Sequence, residues 1–185
     1  MRDGGHGAIG IHPWYIGDAH NNAIDKLRQI LAENPKLTVG EIGLDKYRPD
    51  MDRQIEIFCQ QLDIATQMGR GVHVHCVGAW DKMLNIMKSC GQKLPPFILF
   101  HRYSGNVADM PRLAEKYNAF FSYHNAQDIV RIAQTPTNRI LVESDMDIPT
   151  DTTQIVKDIA AIRHTTYAEM LNIFHKNFIR MIQNG

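Results

Sequence analysis

Histidine is the residue type that invites a chemical reading of this sequence. It occurs 9 times in 185 residues, and several copies stand directly at the ends of short apolar runs with strand character. Ala8-Ile9-Gly10-Ile11 is followed by His12-Pro13, Val72-His73-Val74-His75 ends on an imidazole, and Phe97-Ile98-Leu99-Phe100 runs into His101. Carboxylates take the equivalent places elsewhere. Glu41 lies near the end of the run 37–42 and is followed by Ile42-Gly43-Leu44-Asp45, and Ile140-Leu141-Val142 leads into Glu143-Ser144-Asp145. Five of the six runs therefore finish in a His or a carboxylate; the exception is Ala119-Phe120-Phe121-Ser122-Tyr123. Neutral imidazole and carboxylate are the side chains that hold divalent zinc, manganese, iron or magnesium. Gathered at one rim, they describe a site that activates water and polarises a phosphoryl or carbonyl oxygen.

Such a rim needs parallel strands, and the rest of the pattern supplies them. Segments with helical spacing separate the runs: Ile24, Leu27 and Leu31 share one face, as do Ile55, Phe58, Leu62 and Ala65. Leu84 with Met87, and Val107, Met110, Leu113 and Tyr117, repeat the pattern. The last helix is expected to start in a capping box, Thr166 to Glu169, and carries Leu171, Phe174, Phe178 and Met181 on one stripe. Strand–helix alternation over the whole length predicts an α/β fold with right-handed crossovers. Both an open doubly wound sheet and a closed barrel satisfy it. No GxGxxG turn is present for the Rossmann form, whereas a TIM-like barrel places its chemistry at the C-terminal strand ends. The expectation is one domain, residues 1–185, of TIM-barrel type with about six of eight strands, since a complete barrel usually takes ~250 residues.

Composition removes several alternatives. Hydrophobic residues make up 44% and charged residues 22%, which is globular rather than disordered. Lys plus Arg is 20 and Asp plus Glu is 20, so the broad basic field of a dedicated duplex-DNA binder is missing. Cys59, Cys76 and Cys90 show no CxxC spacing, which argues against a disulfide framework and fits a reducing, cytoplasmic setting. No apolar run approaches the ~20 residues of a membrane helix, and residues 1–6 do not read as a secretory signal. Cys76 follows His75 and alternation turns it to the other face, and there is no GxSxG elbow.

Four motifs, Gly10-Ile11-His12-Pro13, Gly40-Glu41-Ile42-Gly43-Leu44-Asp45, His101-Arg102-Tyr103-Ser104-Gly105 and Leu141-Val142-Glu143-Ser144-Asp145, occur in order. Together with Arg53-Gln54, Phe58, Gln61-Leu62 and Ala65 after the second motif, and Asn177-Phe178 near the end, they resemble the TatD family of metal-dependent hydrolases. The resemblance implies a TIM-like barrel holding one or two divalent ions (Zn, Mn or Mg). It also implies hydrolysis of DNA or a small phosphodiester by a metal-activated water. Carried over residue by residue, it makes Glu41, His75, His101 and Asp145 the metal ligands, with Asp145 and Glu41 catalytic and Asp145 exchanging a proton. His12 would line the mouth of the pocket. Apart from the resemblance, Trp14 reads either as a substrate-stacking ring or as a rim-packing aromatic, and Arg102 with Lys46, Arg48 and Arg53 either as a small phosphate-facing cluster or as solvated loop charges.

The chain also departs from that family. The opening His-x-His strand is missing, so the domain reads as N-terminally short. His73 and His75 form their own His-x-His on one strand face, which makes His73 either a substitute ligand or an interior residue satisfied by a neighbour. Trp14 stands where the family often has another His, and His124 has no assigned role. The competing reading is a catalytically weakened or inactive domain serving as a structural or interaction protein. In either case a homo-oligomer covering the open barrel edge is an expectation.

Overall fold

The structure is a computed structural model that describes residues 6–18, 22–90, 94–145 and 152–183. Its fold is α/β, with the strands following chain order, β1 to β6, along a parallel sheet. Residues 1–99 and 100–184 form two compact units, each with its own apolar core. No helix among the described residues is long and apolar enough to cross a membrane.

The first unit contains β1 (Ala8–Ile9), a 3-10 turn (Pro13–Asp18), α1 (Ala23–Glu33), β2 (Thr38–Asp45), α2 (Met51–Gln67), β3 (Val72–Val77) and α3 (Trp80–Ser89), with β4 (Ile98–Phe100) beginning at its end. β1 pairs with β2 and β2 with β3, all parallel. The pairing of β2 with β3 has a bulge: Val39 stands opposite Val72 and Ile42 opposite Val74, so Gly40 and Glu41 together face the single residue His73. Strict alternation would put Val39 and Glu41 on one face and Ile42 on the other. The bulge instead lets Val39, Ile42 and Leu44 all reach the buried face shared by Val72, Val74 and Cys76. The close strand approach requires glycine. A Cβ on Gly40 would lie 2.6 Å from His73 Cβ, and one on Gly43 would lie 1.8 Å from the His75 carbonyl oxygen.

β1 is shorter than the apolar run 8–11 suggests, for a visible reason. The Ile11 N–H donates to Gln61 Oε1 at 2.6 Å, and Gln61 Nε2 donates back to Ile11 O at 3.1 Å. A side-chain amide from α2 has taken the place of a ladder partner. α2 itself is started by Asp50, whose carboxylate accepts from Arg53 N–H at 3.1 Å.

The second unit contains a 3-10 turn (Val107–Asp109), α4 (Met110–Lys116), β5 (Ala119–Tyr123), α5 (Ile129–Gln134), β6 (Ile140–Val142), α6 (Thr152–Ile162) and α7 (Tyr167–Gln183). β5 and β6 pair in parallel, with Phe121 opposite Ile140. The single helix expected over 107–117 is split between a 3-10 turn and α4, and Pro111 occupies the first turn of α4, where its missing N–H does no harm. The buried amide of Asn177 on α7 donates to the carbonyls of Thr137 and Ile140, each at 2.8 Å, and so fixes the entry of β6. Arg163 spans the carbonyls of Ile132, Ala133 and Thr135 at the end of α5.

The Thr166–Glu169 capping box is present in reciprocal form. Glu169 N–H donates to Thr166 Oγ1 at 3.2 Å, and Thr166 N–H donates to Glu169 Oε2 at 3.0 Å. The backbone N–H of Thr166, then the hydroxyls of Thr165 and Thr166, hold the Glu169 carboxyl down to about 2. A carboxylate depressed in the folded state stabilises above its unfolded value and loses that effect as pH falls through the folded value. The melting-temperature gap between wild type and Glu169→Gln is therefore expected to be full at neutral pH and to close as pH falls from 4.5 toward about 2. A gap that stays constant over that range would remove the capping role.

Candidate metal centre

In the first unit β2, β3 and the segment after β1 bring three side chains together. One donor atom from each of His12, Glu41 and His75 lies within 4.8 Å of the other two. His12 Nε2 stands 3.6 Å from Glu41 Oε2, and the rings of His12 and His75 are 4.5 Å apart, edge to face. Two imidazoles and a carboxylate are a donor set that suits a divalent ion, so these residues fit the metal that the sequence implies. The three are not equivalent. Trp14 N–H donates to His12 Nδ1 at 3.2 Å, which places the ring proton on Nε2, toward Glu41. For Nε2 to offer a lone pair to an ion, that proton would have to move to Nδ1 and the Trp14 contact be given up.

Behind His75 sits Asp45, buried at the end of β2 with Oδ2 3.5 Å from His75 Nε2. The Trp14 indole N–H donates to the same oxygen at 2.8 Å, and Tyr47 N–H donates to Oδ1 at 2.9 Å. Burial pushes this carboxyl up, but the Trp14 indole, the Tyr47 N–H and His75 together outweigh it and hold Asp45 below its usual 3.8. An ionised Asp45 orients both His75 and the loop that follows. That loop is fixed in turn by Gln54, fully buried on α2. Its Oε1 accepts from Asp45 N–H at 2.8 Å, while its Nε2 donates to the carbonyls of Asp45, Arg48 and Pro49 at 3.1, 3.2 and 3.0 Å.

The second unit has its own polar cluster. His101 Nδ1 donates to Glu143 Oε2 at 2.7 Å, the Ser122 hydroxyl donates to the same oxygen at 2.7 Å, and Arg102 N–H donates to Glu143 Oε1 at 3.1 Å. On the other side of the ring, His101 Nε2 stands 3.7 Å from Asp145 Oδ1. Arg102 Nη1 donates to Asp145 Oδ2 at 2.7 Å. Arg102 and Asp145 both sit at positive φ, 45° and 55°, an uncommon backbone setting for non-glycine residues that recurs at functional sites. Beside them lies a cleft of about 560 Å3 lined by Arg102, His124, Asn125, Gln127 and Asp128 among others. His124 Nε2 accepts from Asn125 Nδ2 at 2.7 Å. Burial first, then the nearby Arg102 charge, lowers the pKa of His124.

Among the residues expected to act, Glu41 and His75 converge in the first unit and His101 and Asp145 in the second. His12, expected at the pocket mouth, stands within donor range of Glu41. Trp14 and Arg102 are each tied to a carboxylate in their own units, Asp45 and Asp145. His73 is placed differently from the substitute-ligand idea: it lies two residues back along β3, its Nε2 3.2 Å from Thr38 Oγ1, outside the donor group. Glu143, Ser122, Gln54 and Gln61 were not singled out as site residues. Their signals were present: a polar residue inside the apolar run Phe120-Phe121-Ser122-Tyr123, and amides at 54 and 61 on the otherwise apolar face of α2.

A parallel α/β sheet with imidazole and carboxylate donors at C-terminal strand ends is the arrangement of metal-dependent hydrolases. The family model described as TatD related DNase matches residues 3–183, and the chain belongs to that family. It is 23% identical over 197 residues to a protein named uncharacterized metal-dependent hydrolase YabD of Bacillus subtilis, covering 95% of this chain and 76% of that one. It is 28% identical over 152 residues to the human 3'-5' RNA nuclease TATDN2, covering 75% of this chain and 20% of that protein. Its fold is similar to the crystal structure of YJJV, a TatD homolog from Escherichia coli, with a TM-score of 0.82 at 23% identity over 94% of this chain and 75% of that one.

Two outcomes follow from the site geometry. Glu143→Ala removes the partner that sets the His101 tautomer, and is expected to weaken activity or metal affinity by about 10–100-fold with the fold retained, read by competition titration and circular dichroism. Cys76 is buried, and burial, reinforced by the Asp45 charge, pushes its thiol up to about 12. A water-soluble disulfide reagent at pH 8 is expected to spare Cys76 until the chain is denatured, while reaching the exposed Cys59. Mapping of the label by mass spectrometry decides this, and native labelling at Cys76 would contradict it.

Proposed function

We propose that this chain, acting as one hydrolase domain over residues 1–185, is a metal-dependent phosphodiesterase of the nuclease type. The observation that carries the reading is the convergence of His12, Glu41 and His75 donor atoms within 4.8 Å, Glu41 and His75 from the adjacent parallel strands β2 and β3 and His12 from the segment after β1. The family description and the nuclease named among the relatives support the choice of phosphodiester substrate over an amide or ester.

In this reading Glu41 and His75 would hold a divalent ion, and His101 and Asp145 would be assigned to ligation by their place in the family motifs. A divalent ion bound there supplies Lewis acidity toward a phosphoryl oxygen and lowers the pKa of water. The chain's own groups do the rest. Asp45 keeps the His75 ring in one orientation, and Glu143 does the same for His101. The Asp145 carboxylate accepts a proton from the attacking water and returns it to the leaving oxygen. Arg102 offers a guanidinium to the anionic diester, His12 donates from Nε2, and Trp14 presents an indole to the sugar or base.

The test is metal content of the purified full chain by elemental analysis, beside Glu41→Ala. It is paired with hydrolysis of bis(p-nitrophenyl) phosphate and of DNA and RNA oligonucleotides in manganese, magnesium and zinc. Bound metal is expected in the wild type and depleted in the variant. Hydrolysis is expected to fall at least about a hundredfold in the variant, since even partners behind the ligands are worth 10–100-fold. Absence of both retained metal and hydrolysis after loading would overturn the reading and favour the structural role.

A further inference from the structure

His124 lines the cleft of about 560 Å3 in the second unit and takes no part in the chemistry proposed so far. Its ring is held in one orientation. Gln127 N–H donates to Asn125 Oδ1 at 3.0 Å, which fixes that amide, and Asn125 Nδ2 donates to His124 Nε2 at 2.7 Å. The ring is therefore neutral, with its proton on Nδ1. Burial, then the Arg102 charge, favours the same form. Among the described residues nothing accepts from this Nδ1–H. A half-buried donor set by two neighbours and left unmet on a cleft wall is a contact for something the cleft takes in. The charges around it are matched. Arg102 Nη1 lies 2.7 Å from Asp145 Oδ2, and Asp128 is paired with Arg131, whose Nε also donates to Gly105 O. What the cleft offers is neutral and polar, the His124 N–H and the Gln127 amide.

We infer that this cleft receives the alcohol half of the diester as it departs, and that the His124 Nδ1–H holds it there. The inference deepens the phosphodiesterase reading and rests on it. In that reading a water oxygen bonds to phosphorus while the bond from phosphorus to one ester oxygen breaks. The electron pair of the broken bond leaves on that oxygen. Asp145 takes one proton from the water and returns it to the same oxygen, so the group that departs is a neutral alcohol. Arg102 ties this chemistry to the cleft, because it pairs with Asp145 and also forms part of the cleft wall. An oxygen protonated by Asp145 therefore has the cleft as its adjoining space. The Arg102 end suits the phosphoryl anion, and the His124 end suits the hydroxyl-bearing product, which carries no charge to be matched. The volume falls within the about 300–1,000 Å3 of small-molecule sites, room for a group the size of one nucleoside.

The experiment compares two diesters on the metal-loaded full chain. Thymidylyl-thymidine releases a neutral nucleoside, whereas bis(p-nitrophenyl) phosphate releases p-nitrophenolate, which leaves without a proton and carries no further hydroxyl. His124→Ala is expected to lower kcat/KM about three- to tenfold more for the dinucleotide than for the nitrophenyl ester, the worth of one hydrogen bond. His124→Gln keeps an N–H donor and is expected to recover part of that difference. Binding is read separately by NMR. Thymidine added to the full chain is expected to shift the His124 ring protons, which are assigned by their absence in His124→Ala. A thermal melt of each variant checks the fold. A loss equal for both diesters is what a merely structural role would give, and it overturns the pocket, as does no loss at all. Ring protons left unmoved by thymidine overturn it too. The two ideas fail separately. Wild-type hydrolysis of both diesters without the difference in His124→Ala sinks the pocket and leaves the phosphodiesterase reading. No hydrolysis of either diester, with the thymidine shift present, sinks that reading and leaves a cleft that binds a neutral alcohol.

Discussion

The geometry of the candidate metal centre depends on one feature of strand pairing, the two-against-one match of Gly40 and Glu41 with His73. Apolar burial drives it. Val39, Ile42 and Leu44 are all fully buried, and three residues at spacings of three and two cannot share a face of a regular strand. The extra residue absorbs the mismatch and leaves the Glu41 carboxylate within reach of His12 and His75. The match is possible only where the two backbones come closer than any side chain permits, hence glycine at 40 and 43. The position of a candidate ligand is in this sense a by-product of satisfying the core.

The loops around that site are held by polar groups planted in the core rather than by their own composition. Gln54 and Gln61 lie seven residues apart, about two helical turns, on the same buried face of α2. One grips the segment after Asp45 and the other the residue before His12. Burying an amide is costly unless its donors and acceptors are met, and here the backbone of the functional loops meets them. The same logic operates in the second unit, where Asn177 receives β6 and Arg163 closes the end of α5. A loop fixed this way can carry exposed rings such as Tyr47 and Tyr15 without losing its shape.

The two strand-end histidines share an arrangement, although each belongs to its own unit. Asp45 stands beside His75, and Glu143 beside His101. In both, a carboxylate from another element faces a ring nitrogen, which settles orientation and proton position before any ligand arrives. Preorganisation of this kind lowers what binding must spend on ordering side chains. In the second unit the Arg102 guanidinium also pairs with the Asp145 carboxylate.

Much of this was legible in the residues alone. Strand and helix alternation and the Thr166–Glu169 box follow from periodicity and local hydrogen bonding, which act over a few residues and are written directly into the order of types. The stripe drawn through Leu171, Phe174, Phe178 and Met181 is only half right, because Leu171 and Phe178 are exposed and Met170 and Asn177 take their places on the buried face of α7. Strand ends are recognisable as places for donors, and the resemblance to the family motifs is what singled out Glu41, His75, His101 and Asp145 among them. Register and long-range partners could not be read the same way. That Glu41 rather than His73 joins His12 and His75, that Gln61 grips a residue 50 positions away, and that Glu143 sets His101 across 42 positions depend on how backbones meet once the core is packed. The sequence by itself determined which elements form and which donors stand at their ends, because those properties are local. Only the tertiary structure decided which donors share a face and which carboxylate holds which imidazole, because a one-residue bulge changes the facing of a strand without changing its composition.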